Sequence, residues 1–143
     1  MRRLIPGLFL VSALALGASA CSDNTTTPTT PTTPTTPGNA VTEPPFTGTL
    51  KVNGAATYPF TATSAGTITA TLASITPDAS VAIGLSIGTW NGSACQIVIA
   101  NDNATQTMAI TGAVTAASNL CVRVYDPGRL TGSVDFNVTI VHP

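Results

Sequence analysis

The sequence predicts an all-β protein whose folded domain is a two-sheet antiparallel β-sandwich, jelly-roll-like, with about eight strands. Three observations predict it. Large apolar residues recur at every second position in several windows, the period that sends one face of a strand into a core and leaves the other in water. Pairs such as Asn53-Gly54 and Asn91-Gly92 separate those windows and favour tight hairpin turns. Finally, only 8% of the 143 residues are charged, so the Lys and Glu that populate exposed helix faces are scarce. A small barrel is the main alternative architecture. The net charge of −1 lacks the electrostatic footprint of a nucleic-acid binder.

Residues 1–20 have the layout of an export signal. Arg2 and Arg3 precede an uncharged stretch from Leu4 to Ala20, which ends in Gly17-Ala18-Ser19-Ala20; such a stretch is short for a membrane span and breaks into small residues where a signal is cleaved. The segment Leu16-Gly17-Ala18-Ser19-Ala20-Cys21 resembles the lipobox of bacterial lipoproteins, with Ala18 where Leu is usual. The resemblance implies that Cys21 carries diacylglycerol and becomes the acylated amino terminus. Ordinary signal cleavage at the same bond is the alternative, because Ala18-x-Ala20 is also an acceptable exit site. Lipidation gives a use to a thiol that would otherwise be free in an oxidising compartment. Several acyl chains on one residue anchor firmly, at about 0.8 kcal/mol per buried methylene. The expected location is therefore outside the cytoplasm, held by lipid at an outer membrane or cell surface, with the membrane as the first partner.

Residues 21–45 read as a tether. Residues 26–37 repeat Thr-Thr-Pro four times; proline fixes φ and removes a donor, and it pushes the preceding residue towards extended geometry. At about 3.1 Å per residue in polyproline II, the repeats alone span roughly 37 Å. A spacer is the plain reading, and a Pro-rich recognition motif or a glycosylated stalk is the functional alternative.

Residues 46–143 make up the sandwich domain, with strands expected near 47–52, 56–63, 66–75, 80–88, 94–100, 106–111, 119–125 and 133–141. Thr67-Ile68-Thr69-Ala70-Thr71-Leu72 alternates strictly, Val81, Ile83, Leu85 and Ile87 recur every second place, and Leu120, Val122 and Val124 face away from Cys121, Arg123 and Tyr125. Phe136, Val138 and Ile140 repeat the pattern in the last strand. Ala65-Gly66 and Thr76-Pro77-Asp78 close strands, and Asp126-Pro127-Gly128-Arg129 places Pro and Gly where a type II turn needs them.

Cys95 and Cys121 remain once Cys21 is assigned to lipid, and two cysteines in an exported domain imply a disulfide. Zinc is a poor alternative because His142 is the only histidine of the chain. The loop closed between them corresponds to roughly 3–4 kcal/mol in the chain-entropy account.

Tyr58-x-Phe60, Ala65-Gly66-Thr67-Ile68-Thr69-Ala70-Thr71-Leu72 and Cys121-Val122-Arg123-Val124-Tyr125-Asp126 together resemble the bacterial pre-peptidase C-terminal domain, a β-sandwich module appended to secreted enzymes and surface proteins. The resemblance runs from Phe46 to His142. It implies that Tyr58 and Phe60 are core residues and Gly66 a turn residue. The chain departs from the family in lacking an attached peptidase and in carrying few acids in its middle strands.

Little in the sequence points to chemistry. With one histidine, no internal Ser-His-Asp set can be assembled, and Asp78, Asp102, Asp126 and Asp135 show no acid–base pair spacing. Asn101-Asp102-Asn103 offers oxygen ligands for calcium, but an Asx turn explains it as well. The expectation is a non-catalytic protein without metal or cofactor. Its candidate ligand contacts are Trp90, beside Asn91 at a strand end, and Tyr125 with Arg123 on a strand face; exposed aromatic residues stack on sugars or anchor partners. The alternatives are that Trp90 caps the core and that Tyr125 and Arg123 form an ordinary solvated face. The partner expected is a glycan, a peptide or an envelope protein, and the alternative function is a structural envelope or accessory module with no small ligand.

Overall fold

The computed structural model describes residues 39–143. The signal over 1–20, Cys21 and the Thr-Thr-Pro repeats lie outside the described residues. The described residues run through nine strands: β1 (Val41–Thr42), β2 (Phe46–Leu50), β3 (Ala55–Ala62), β4 (Gly66–Thr76), β5 (Ile83–Trp90), β6 (Cys95–Ala104), β7 (Ala109–Val114), β8 (Ser118–Tyr125) and β9 (Val134–His142). Every pairing is antiparallel. One sheet has the order β1-β9-β4-β7, with β2 also on β9, and the other has the order β3-β8-β5-β6. The result is the two-sheet sandwich expected from the alternation.

The core forms where the inward-facing sets of the two sheets meet. Ile68, Ala70 and Leu72 of β4 and Val138 and Ile140 of β9 come from one sheet, and Leu85 and Ile87 of β5 with Val122 and Val124 of β8 from the other; all are buried. Phe60 joins this core, and the half-buried Tyr58 packs against it beside Phe46, with ring centroids 5.4 Å apart. At about 25 cal/mol per Å² of apolar surface removed from water, such a core is the main force holding the sheets together.

The turns follow the chemistry of their residues. Asn53 has φ 54°, a left-handed value that Asn tolerates, and the Gly54 N–H donates to the Lys51 carbonyl at 2.8 Å. Asn91 Oδ1 accepts from the Ser93 and Ala94 N–H groups at 3.0 and 2.8 Å, closing the β5–β6 hairpin, where Gly92 takes φ 97°. Gly128 has φ 86°, the value a type II turn requires of its third residue.

Four departures from the sequence reading have physical causes. Pairing begins at Val41 rather than at Phe46: Val41 and Thr42 lie opposite His142 and Val141, inside the stretch read as tether. The β5 strand starts later than expected because Asp78 Oδ1 accepts from both the N–H and the hydroxyl of Ser80, holding a turn there. The β6 strand runs on through Asn101-Asp102-Asn103, since two register shifts against β5 absorb the extra residues. The β7 strand starts at Ala109 because Thr105–Met108 forms a turn whose Thr107 N–H and Met108 carbonyl bond Leu72, beside a bulge in β4.

Candidate functional site

The face of the β3-β8-β5-β6 sheet that points away from the core carries the candidate residues. Register places Arg123 opposite Ser86, Tyr125 opposite Gly84 and Cys121 opposite Gly88, and partners in an antiparallel pair share a face. The outward positions of β5 are therefore Gly84, Ser86, Gly88 and Trp90. Small residues are needed at the first three because two links from β8 to β6 pass over this strand.

The first link is the Cys95–Cys121 disulfide, with Cα atoms 5.8 Å apart. It joins β6 to β8, which are separated in the sheet by β5. The β6 backbone therefore curls over β5, and a Cβ at Gly88 would collide with the Gln96 carbonyl. The second link is the phenol of Tyr125, whose ring lies where a Cβ of Gly84 would be and whose hydroxyl donates to Asp102 Oδ1 on β6. Ser86, between them, is fully buried, and its hydroxyl donates to the Arg123 carbonyl at 3.3 Å.

Arg123 completes the patch. Its guanidinium carbon lies 5.3 Å from the centroid of the Tyr125 ring, within cation–π range. Burial of the phenol pushes the Tyr125 pKa up to about 12; the hydrogen bond and the charge of Asp102 act in the same direction, and Arg123 opposes them. Beside Asp102, Asn103 Oδ1 accepts from Arg129 Nη1 at 2.5 Å. The arrangement is an aromatic platform topped by a cation, with amide and carboxylate groups along its rim. Such a surface offers stacking and hydrogen bonds to a polar ligand.

The other pair of sequence-derived candidates sits elsewhere on the same face. Trp90 is half-buried at the end of β5, opposite Cys95. It is four residues beyond Ser86, on the order of 13 Å at strand rise, and the disulfide crosses between them. Asn91 uses its side-chain oxygen to hold the hairpin. The structure thus gathers Arg123 and Tyr125 with Asp102, and leaves Trp90 and Asn91 as a separate group. The sequence offers Asp102 and Asn103 only as calcium ligands or an Asx turn; extension of β6 through residues 101–103 brings them to this patch, where Arg129, from the segment after β8, reaches Asn103.

A second cluster joins positions 99 residues apart in sequence. His142 is only 3% exposed, and its Nε2 lies 2.8 Å from Glu43 Oε1, while its Nδ1 lies 3.1 Å from the Pro143 carbonyl. Tyr58 donates its hydroxyl to the other Glu43 oxygen at 3.0 Å; burial raises the pKa of that phenol, and the Glu43 hydrogen bond and charge raise it further. Phe60 packs on the imidazole with centroids 5.0 Å apart. These groups hold residues 41–43 on the sandwich.

Asp126 is likewise a structural acid. Burial works against its charge, but backbone N–H groups of Asn53, Arg129, Leu130 and Gly128 more than compensate, so its carboxyl sits below the usual range. Among the described residues there is no group of three or more His, Cys, Asp or Glu side chains placed to hold a metal ion. Fold and face together define a disulfide-strapped β-sandwich module with an aromatic–cationic outer surface. No protein-family model matches the chain, and the search of curated proteins finds no match to its sequence.

Proposed function

We propose that this chain is a non-catalytic bacterial lipoprotein, anchored at the envelope through Cys21, which presents its β-sandwich as a binding or adhesion module on a Thr-Pro spacer. The observation that carries the reading is the Arg123–Tyr125–Asp102 patch, linked over Gly84 on the outer side of the sheet. A preorganised aromatic and cationic surface binds with little ordering cost. The lipobox-like segment ending at Cys21 and the four Thr-Thr-Pro repeats supply the anchor and the spacer. The non-catalytic reading is supported by the use of titratable groups in packing: His142 with Glu43, and Asp126 with four backbone amides. The finer resemblance to the pre-peptidase C-terminal domain belongs to the same proposal.

Two measurements test it. Mass spectrometry of the protein from its native envelope should find an acylated Cys21 as the first residue, and an unmodified terminus contradicts the anchor. Retention on immobilised envelope polysaccharide should fall about tenfold in Arg123→Ala, with a thermal midpoint close to wild type, and as far in Tyr125→Ala, whose midpoint also falls because the link to Asp102 is lost. Trp90→Ala tests whether the second group contributes. A structural module with no ligand is the second reading. It is favoured by the mutual saturation of Tyr125 and Asp102 and by the commitment of Asn91 to its turn; unchanged retention in every variant supports it.

A further inference from the structure

Two Asn-Gly pairs occur in the chain, Asn53-Gly54 and Asn91-Gly92, and they sit in turns of different build. Asparagine before glycine is the least hindered setting for loss of the side-chain amide, because no side chain keeps the glycine nitrogen from the asparagine Cγ. By contrast, Asn101, Asn103, Asn119 and Asn137 lie within strands, each followed by a residue that carries a side chain.

The hairpin at Asn91 supplies what that reaction needs. Asn91 Oδ1 accepts from the Ser93 N–H at 3.0 Å, the Ser93 hydroxyl at 3.1 Å and the Ala94 N–H at 2.8 Å. Three donors on one carbonyl oxygen act as an oxyanion hole, since that oxygen takes the negative charge when a nucleophile adds to Cγ. The Gly92 N–H has no acceptor among the described residues, and a Cβ on Gly92 would meet nothing within 4 Å. Asn91 and Gly92 are both exposed, so hydroxide and water reach them. At Asn53 both features are reversed. The Gly54 N–H donates to the Lys51 carbonyl at 2.8 Å, which ties up the nucleophile. The backbone N–H of Asn53 donates to Asp126, and no donor among the described residues reaches its side-chain oxygen.

We propose that Asn91 is a site of spontaneous deamidation, which the β5–β6 hairpin promotes over the same reaction at Asn53. Hydroxide takes the Gly92 N–H proton, and the nitrogen bonds to Asn91 Cγ, driving the carbonyl electron pair onto Oδ1. The pair returns, the Cγ–Nδ2 bond breaks, and the amide leaves as ammonia with a proton taken from water. Water then adds to one carbonyl of the resulting succinimide and opens the ring, so that one water is consumed for each ammonia released. Opening on one side gives aspartate, which keeps an oxygen on the three donors and adds a negative charge beside Trp90. Opening on the other side gives isoaspartate, which lengthens the main chain of the turn by a methylene. The reaction does not depend on a ligand at Arg123 and Tyr125.

The test is incubation of the folded full chain in mildly alkaline buffer, with peptide mass spectrometry following amide-to-acid conversion at both sites. Conversion at Asn91 should outrun that at Asn53 by about tenfold. In urea that unfolds the domain, both pairs sit in flexible chain and the two rates should converge. Ser93→Ala removes the hydroxyl donor and should slow conversion at Asn91 severalfold while leaving Asn53 unchanged. Ser93→Thr restores a hydroxyl and should recover the wild-type rate. Thermal midpoints of both variants check that the domain is folded. Conversion at Asn53 as fast as at Asn91 in the folded chain, a preference for Asn91 that survives in urea, or a Ser93→Ala rate equal to wild type overturns the proposal.

Discussion

The β9 and β5 strands both lie inside their sheets and both alternate with period two, yet the alternation means different things. In β9 the inward set, Val134, Phe136, Val138 and Ile140, is buried, and the outward set, including Asp135, Asn137 and Thr139, stays at least partly in solvent. In β5 every residue from Ile83 to Gly88 is buried. There the alternation is one of size: Ile83, Leu85 and Ile87 inward, Gly84, Ser86 and Gly88 outward beneath the disulfide and the Tyr125 phenol. A small residue at every second place thus marks a covered face, as a polar one marks a wet face.

The largest expected effect comes from filling the covered face. Gly88→Val drives a side chain into the Gln96 backbone, and a loss of about 3 kcal/mol or more in urea denaturation is expected. Thr139→Val, on the half-exposed outward side of β9, should change stability by less than about 0.5 kcal/mol. Equal effects at the two positions would erase the distinction between the strands. Replacing both Cys95 and Cys121 by Ala should cost about 3 kcal/mol, with the thermal midpoint falling accordingly.

Asp126 closes the turn after β8, and Asp126→Ala should cost about 2 kcal/mol by leaving several amides without their acceptor. Its folded pKa lies below the unfolded value of 3.8. The stability it contributes is therefore complete above that value and disappears as pH falls through the lower folded one; acid titration of the midpoint for wild type and Asp126→Ala should converge there. A smaller effect than at Asp126 is expected at the second link. Tyr125→Phe keeps the ring over Gly84 and removes the bond to Asp102, costing about 1 kcal/mol. In an absorbance titration both tyrosines, Tyr58 and Tyr125, should ionise above pH 10.0, Tyr125 near 12, and Asp102→Asn should bring Tyr125 down. Since both phenols are raised, the stability they contribute is present below pH 10.0 and lost as pH rises through their folded values.

The long alternating runs made the strands and the sandwich readable from sequence, because burial of one face imposes period two on neighbouring residues. Cys95 and Cys121 were readable as a pair because the sequence reading sets Cys21 aside as a proposed lipid site and leaves two cysteines. What was not readable depended on distant partners. Val41-Thr42 is a strand only because β9 lies beside it, and Glu43 meets His142 only through that pairing. Asn101-Asp102-Asn103 carries turn chemistry in every local sense; register shifts in β6 make it strand and bring Asp102 under the Tyr125 hydroxyl. Within the candidate site, Arg123 and Tyr125 were legible as one outward face of β8, whereas their separation from Trp90 by the disulfide follows from β6 curling over β5.

Native-state amide hydrogen exchange, compared between the oxidised protein and the Cys95→Ala, Cys121→Ala variant, tests the covering of β5 most directly. If the disulfide holds β6 over β5, protection in residues 95–104 should collapse in the variant while the β4–β9 ladder retains most of its own. Protection lost evenly across both sheets would contradict it, because the bridge would then act only on the unfolded chain.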